Sequence, residues 1–239
     1  VEAYSITDIG VQRKVNQDYV FCRESAIGSL PNFFAVADGM GGHKAGDFAS
    51  RYCMEILLKQ IGKSQLKSPV SILEEAINVA NESLHNMALD NEELEGMGTT
   101  LVAATIIDHI LYVANVGDSR LYVIKDQIKQ ITEDHSLVEV MIKTGEIERK
   151  EAVNHPGKHI ITRALGTQSD VRADFFEVDL MGNEYILLCS DGLTNMLVDE
   201  EIMKIILDGH NVKETAECLI EAANLSGGKD NIGIVIVHV

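Results

Sequence analysis

Short apolar runs in this chain end, again and again, on an aspartate. Phe33-Phe34-Ala35-Val36-Ala37 leads into Asp38-Gly39, and Tyr185-Ile186-Leu187-Leu188-Cys189-Ser190 leads into Asp191-Gly192. Leu111-Tyr112-Val113-Ala114-Asn115-Val116-Gly117 leads into Asp118. Asp230-Asn231 stands just before the run that opens at Ile232, and Asp18 just before Tyr19-Val20-Phe21. Runs rich in Val, Ile, Phe and Tyr, bounded by turn residues, read as strands. They are apolar on successive residues, so they read as strands covered on both faces. The strands expected are 33–37, 100–107, 111–116, 121–124, 185–189 and 232–239. Asp108-His109 and Lys125-Asp126-Gln127 are expected to close antiparallel hairpins.

Two longer stretches carry a helical stripe. Phe48, Tyr52, Cys53, Ile56, Leu57 and Ile61 form one, and Leu73, Ile77, Ala80, Leu84 and Met87 form the other. Pro69 suits the start of the second helix. Residues 202–207 and 212–225 give two more helices. Strands, two helices, strands, two helices and a last strand describe antiparallel sheets covered by helices, the α+β class. The stretch from Thr132 to Phe175 is polar and irregular, with one short helix over 137–144 and four basic residues, Arg149, Lys150, Lys158 and Arg163. A lid and a decorated surface loop are both open readings of it. No repeat or linker interrupts the chain, so residues 1–239 are expected to form one domain, with a flap at about 133–175.

A net charge of −17 argues against nucleic acid or an anionic membrane as the main partner. No apolar run reaches the roughly 18 residues of a membrane helix. Val1-Glu2-Ala3-Tyr4 lacks the pattern of a signal peptide, and the chain does not begin with Met, which leaves processing or trimming open. Cys22, Cys53, Cys189 and Cys218 lie far apart and read as free thiols in a reducing cytosol.

Taken singly, each aspartate is an ordinary turn signal. Five of them at strand ends mean more. Neighbouring strand ends sit about 5 Å apart, and carboxylates gathered there repel one another unless cations neutralise them. Aspartates without paired His or Cys describe a hard-cation site, suited to Mg²⁺ or Mn²⁺. Gly39, having no side chain, would let its carbonyl approach an ion. The glycine-rich run 39–46 is not a dinucleotide loop, because Lys44 holds the third glycine position of G-x-G-x-x-G, and the Walker spacing is absent.

Six stretches, in order and over almost the whole chain, resemble the motifs of the protein phosphatase type 2C, or PPM, family. They are Asp8 to Asp18, Val36 to His43, Gly96-Met97-Gly98-Thr99-Thr100, Asn115 to Arg120, Cys189-Ser190-Asp191-Gly192-Leu193 and Lys229-Asp230-Asn231. The Gly-Met-Gly-Gly-His form is most similar to compact bacterial members. The resemblance implies a four-layer α-β-β-α sandwich: two antiparallel sheets flanked by antiparallel helix pairs, with a metal centre at one end. It implies that Asp38 bridges two Mn²⁺ or Mg²⁺ ions, with Asp191, Asp230 and the Gly39 carbonyl in the inner shell. Asp18 would hold metal-bound water or join that shell, and a third ion would sit near Asp118 and Asp191. Arg13 matches the arginine that grips the substrate phosphate, a task for a bidentate guanidinium.

On this reading Asp38, Asp191 and Arg13 carry the chemistry. A water activated by two ions attacks phosphorus in line, without a phosphoenzyme. No cysteine lies in a C-x5-R phosphate loop. The position after the first Asp-Gly, histidine in some relatives, is Met40 here, which leaves the acid for the leaving group open between His43 and metal-bound water. Asn231 is expected to orient Asp230 or a water, and Thr99 and Thr100 to support the site. Partners implied are phosphorylated proteins, a serine/threonine kinase and its targets, met by a monomer in a bacterial cytoplasm. A phosphoprotein-binding pseudophosphatase and a hydrolase of small phosphomonoesters are the rival readings.

Overall fold

The computed structural model describes residues 1–42, 45–152 and 155–239. In chain order the elements are β1 (Glu2–Asp8), β2 (Asp18–Arg23), β3 (Phe33–Met40), α1 (Ala45–Lys63), α2 (Pro69–Asp90), β4 (Gly98–Thr99), β5 (Leu101–Ile107), β6 (Ile110–Val116), β7 (Arg120–Ile124) and β8 (Ile128–Gln130). There follow α3 (Leu137–Thr144), α4 (Arg149–Ala152), β9 (Asp174–Asp179), β10 (Tyr185–Cys189), α5 (Asp191–Thr194), α6 (Asp199–Asp208), α7 (Val212–Leu225) and β11 (Ile232–His238).

The strands form two antiparallel sheets. One runs β1-β11-β10-β7-β8 and the other β2-β3-β5-β6-β9, with β4 paired to β3. The six strands expected from the sequence are those with a neighbour on each side. The edge strands β1, β2, β8 and β9 were not among them, because an edge strand is only partly covered and shows no continuous apolar run. The β5–β6 hairpin turns on Asp108 and His109, both at positive φ. The primed turns that suit a twisted hairpin require that backbone, and Asp and His tolerate it better than most residues.

Three apolar layers hold the four structural layers together. Phe34, Val36, Val102, Leu188, Val235 and Val237 fill the space between the sheets. Phe33, Leu57, Ile61, Leu73, Ile77 and Leu84 join α1 and α2 to the outer face of the β3 sheet. Leu187, Ile202, Ile206, Leu219, Ile234 and Ile236 join α6 and α7 to the outer face of the other sheet. Each fully buried side chain of this kind contributes roughly 1.5–3 kcal/mol relative to exposure. At the start of α2, Ser68 accepts from the Ser71 N–H and Pro69 takes the first turn, where no donor is needed. The fold is α+β, a sandwich of two antiparallel sheets between helix pairs.

The segment between β8 and β9 has two parts. Residues 137–160 carry α3 and α4, neither with a buried residue. Residues 161–173 are anchored: Leu165 is fully buried and exchanges backbone bonds with Thr99. The side chain of Asn81 on α2 accepts from the Gly166 N–H and donates to the Gln168 and Ser169 carbonyls. Among the described residues, no helix is long and apolar enough to cross a membrane.

Candidate metal centre

The β2–β3 register sets Asp18 directly across from Asp38. Asp38 and Gly39, expected at the exit of a strand, lie within it: β3 continues to Met40 because Gly39 and Met40 pair with Thr99 and Gly98 of β4. Three bonds hold the Asp38 backbone. Its N–H donates to Thr100 Oγ1 at 3.0 Å, and its carbonyl accepts from the Thr100 N–H at 2.8 Å and from Thr99 Oγ1 at 2.9 Å. Thr100 Oγ1 in turn lies 2.8 Å from Ser119 Oγ, beside Asp118. Gly39 has a steric reason as well as the one inferred from its carbonyl. A Cβ there would run into the Gly46 carbonyl at the start of α1.

The other sheet delivers Asp191 and Asp230. β10 ends at Cys189 and β11 begins at Ile232, and Cys189 pairs with Ile234, so both aspartates leave the same end of the sheet. Ser190 stitches the two sheets together. Its N–H donates to the Gly233 carbonyl, its Oγ accepts from the Gly233 N–H at 2.8 Å, and that hydroxyl donates to Asp18 Oδ2 at 2.6 Å. Asp118 sits on the turn by which the chain crosses from β6 in one sheet to β7 in the other.

The result is a buried concentration of negative charge. Burial, then the charges of Asp191 and Asp230, pushes the Asp18 carboxyl up to about 8. Burial, then Asp18, Asp191 and Asp118, holds Asp38 well above the carboxylate range. Burial and Asp191 push Asp118 up to about 7, and burial with Asp230 raises Asp191. Two nearby arginines are committed elsewhere. Arg120 makes a forked pair with Asp134, at 2.7 Å for the shortest bond, and Arg163 binds Asp174 at 2.9 Å. Arg13 Nη2 donates to Asp230 Oδ2 at 2.6 Å, at the exposed rim.

Divalent cations fit this set. Asp18 Oδ1, Asp118 Oδ1 and Asp191 Oδ1 are buried and have no hydrogen-bond partner. Oxygen acceptors without donors are what a hard cation binds. Among the described residues, no three His, Cys, Asp or Glu side chains are gathered around one point as a complete cage would require. Mg²⁺-like ions do not need such a cage, since they bind through one or two carboxylates and keep several waters. A groove of about 510 Å³ opens beside Asp118 and Asp191, with Glu139, Arg149 and Lys158 on its flap side.

The sequence model of protein phosphatase 2C matches residues 11–223. The chain belongs to the protein phosphatase 2C family. It is 42% identical to the serine/threonine phosphatase stp of Listeria innocua over 208 residues, 85% of this chain and 82% of that protein. The crystal structure of the serine/threonine phosphatase Stp1 from Staphylococcus aureus superposes with a TM-score of 0.92 at 36% identity, covering 100% of this chain and 94% of that one. The catalytic domain of the serine/threonine protein phosphatase PstP, solved in complex with two manganese ions, gives a TM-score of 0.85 at 32% identity over 98% of this chain and 96% of that one.

In this protein phosphatase 2C member, Asp18, Asp38, Gly39, Asp118, Asp191 and Asp230 all lie at one end of the sandwich, with Arg13 at its rim. His43 lies outside the described residues. Asn231 holds Asp230 through its backbone N–H, which donates to Oδ1, while its side chain bonds the 9–17 loop. Asn195, not singled out from the sequence, donates to Asp191 Oδ2 at 2.9 Å. His135 is a buried hub. Its Nδ1 accepts from the Gly117 N–H at 3.0 Å, so the proton is on Nε2, 3.0 Å from Asp174 Oδ2. Its backbone bonds both Gly117 and Thr162, tying the Asp118 turn to the returning segment of the flap. The spacing Asp134-His135-Ser136 before a short helix was the available signal, and nothing local distinguishes it from a helix cap.

Proposed function

We propose that this chain hydrolyses phosphoserine and phosphothreonine in proteins, using two or three Mn²⁺ or Mg²⁺ ions held by the carboxylate cluster. The observation that carries the reading is the set of buried carboxylates with raised pKa values and three oxygens lacking donors. Asp38, central to the cluster, would bridge two ions, with Asp191, Asp230 and the Gly39 carbonyl completing their protein ligands. Asp18 and Asp118 would hold water or a further ion. Ions bound there supply an ionised water at neutral pH and a positive field for the phosphoryl oxygens.

The chain's own residues do the rest. Arg13, 49% exposed at the rim, is free to trade its Asp230 bond for a phosphate oxygen. The hydroxyls of Thr99, Thr100 and Ser190 keep Asp38 and Asp18 in place, so little reorganisation is needed as charge develops. The groove beside Asp118 and Asp191 gives the peptide around the phosphoresidue a place to lie, under the flap at about 133–175. The bacterial relatives, named serine/threonine phosphatases, support the phosphoprotein substrate class. With it we propose a single catalytic domain acting as a monomer in the cytoplasm and opposing a serine/threonine kinase on shared targets.

The test is dephosphorylation of a phosphothreonine peptide with Mn²⁺ or Mg²⁺, with a phosphotyrosine peptide as contrast. The expected result is turnover of phosphothreonine that a chelator abolishes. Activity undiminished after thorough chelation would sink the metal mechanism. Equal turnover of both peptides and of a small aryl phosphate would favour a general phosphomonoesterase.

A further inference from the structure

Arg13 stands on a loop with no regular structure, residues 9–17 between β1 and β2. The loop is exposed, with Val11 at 66% and Val15 at 40% of full exposure. A guanidinium on a long stem and a loose loop would lose much of its binding free energy to ordering. One side chain removes much of that freedom. Asn231, 4% exposed, donates its two amide hydrogens to the carbonyls of Ile9 at 2.9 Å and Val15 at 3.0 Å, and its Oδ1 accepts from the Gln17 N–H at 2.9 Å. Both ends of the loop are therefore fastened to one amide, and residues 10–14 are closed into a ring. Asn is the shortest side chain with two donors and an acceptor, so Ala, Ser, Asp and Leu each lack part of the set.

The same strand of chain holds the loop's near side. Val11 and Gln12 donate their N–H groups to the Gly228 carbonyl at 2.8 and 3.1 Å. Gly10, at φ +77°, lies so close to the Asp230 carbonyl that a Cβ would overlap it. Asp230 itself joins the two functions, with Oδ1 accepting from the Asn231 N–H at 2.8 Å and Oδ2 accepting from Arg13.

We infer that Asn231 is a positioning residue that fixes the Arg13 loop at a set distance from the carboxylate centre. The inference rests on Arg13 gripping phosphate. The Asn231 side chain touches no reacting atom, and its three amide bonds all go to backbone. Its loss moves the grip and leaves the aspartates where they are, because the Asn231-to-Asp230 bond comes from the main chain.

The test compares wild type, Asn231→Ala, Arg13→Ala and the double variant with Mn²⁺ present, reading KM and kcat on a phosphothreonine peptide, the inhibition constant of inorganic phosphate, and the Mn²⁺ activation constant. Asn231→Ala is expected to raise KM and the phosphate inhibition constant by roughly 10-fold or more, the scale of a misplaced binding group. The Mn²⁺ constant should stay within about 2-fold, and Asn231→Ala should add little to Arg13→Ala, as two changes to one interaction do. Additive effects, an unchanged phosphate constant, or a weakened Mn²⁺ constant at unchanged phosphate binding would each overturn the inference while leaving Arg13's role standing. If Arg13→Ala itself left phosphate binding unchanged, the grip reading and this inference would fall together. Asn231→Ser, which removes both amide donors but keeps a small polar group, serves the same comparison should the alanine variant not fold.

Discussion

Replacing Asp18 by Asn should stabilise the metal-free protein. Asp18 is 7% exposed, faces Asp38 across β2–β3, and has one oxygen on Ser190 and one without a donor. Its carboxyl titrates near 8 in the fold against an ordinary 3.8. A raised carboxyl contributes stability below its unfolded value and loses it as pH rises toward the folded one. At pH 7 the folded group is still largely protonated while the unfolded one is ionised. The difference is about 1.4 kcal/mol per pH unit above 3.8, on the order of 4 kcal/mol. Asparagine has the same shape and no charge. Its Oδ1 keeps the Ser190 bond, but its amide nitrogen lands where Asp18 Oδ1 has no donor, at a cost of roughly 1–3 kcal/mol. The net gain is about 1–3 kcal/mol, which raises Tm by roughly 5 °C in a chain of this size. Thermal unfolding followed by circular dichroism, in EDTA at pH 5, 7 and 8, measures it. The variant should melt above wild type at pH 7 and 8 and should gain less from added Mn²⁺. At pH 5 it should melt at or slightly below wild type, where the gain of about 1.4 kcal/mol per pH unit above 3.8 no longer exceeds the amide's cost. A variant that melts below wild type in EDTA at pH 8 would refute the picture of an electrostatically frustrated cluster.

Four further outcomes follow from the same geometry. Asp38→Asn and Asp191→Asn should lose Mn²⁺-dependent turnover by roughly 100-fold or more with unchanged far-ultraviolet circular dichroism; full rates in both would show the ligands to be misassigned. Arg13→Ala should raise KM more than it lowers kcat, with about a 10- to 100-fold loss in kcat/KM, the scale of a charge-assisted hydrogen bond, and an unchanged KM would count against the grip. Mn²⁺ must displace protons from Asp18, near 8, and Asp118, near 7, so the Mn²⁺ dissociation constant measured by calorimetry should fall as pH rises from 6 to 8; a flat profile would contradict it. Gly39→Ala should force α1 away from β3, costing about 1–3 kcal/mol in denaturant unfolding and most of the activity; a neutral result would show that the Gly46 carbonyl yields.

How much of this could be read without coordinates follows from burial. The six inner strands were legible because a strand covered on both faces must be apolar at every position, and Asp at its end then stands out. The helices of both outer layers were legible from their stripes, since 3.6-residue periodicity is local. The edge strands were not, because partial exposure lets β1 and β9 carry Glu and Asp freely. The residue types at the centre were also legible, as five aspartates at strand ends with no Cys or His partner. What only the tertiary structure decided is how those ends meet. The Asp18–Asp38 register and the Ser190–Asp18 bond between sheets are pairings of residues far apart in the chain, and the crossing at Gly117 follows from β6 and β7 joining different sheets. Asn231 and His135 illustrate the limit. Each owes its role to several backbone groups brought within 3.0 Å by folding, and a single amide or imidazole in a sequence carries no mark of which carbonyls it will find.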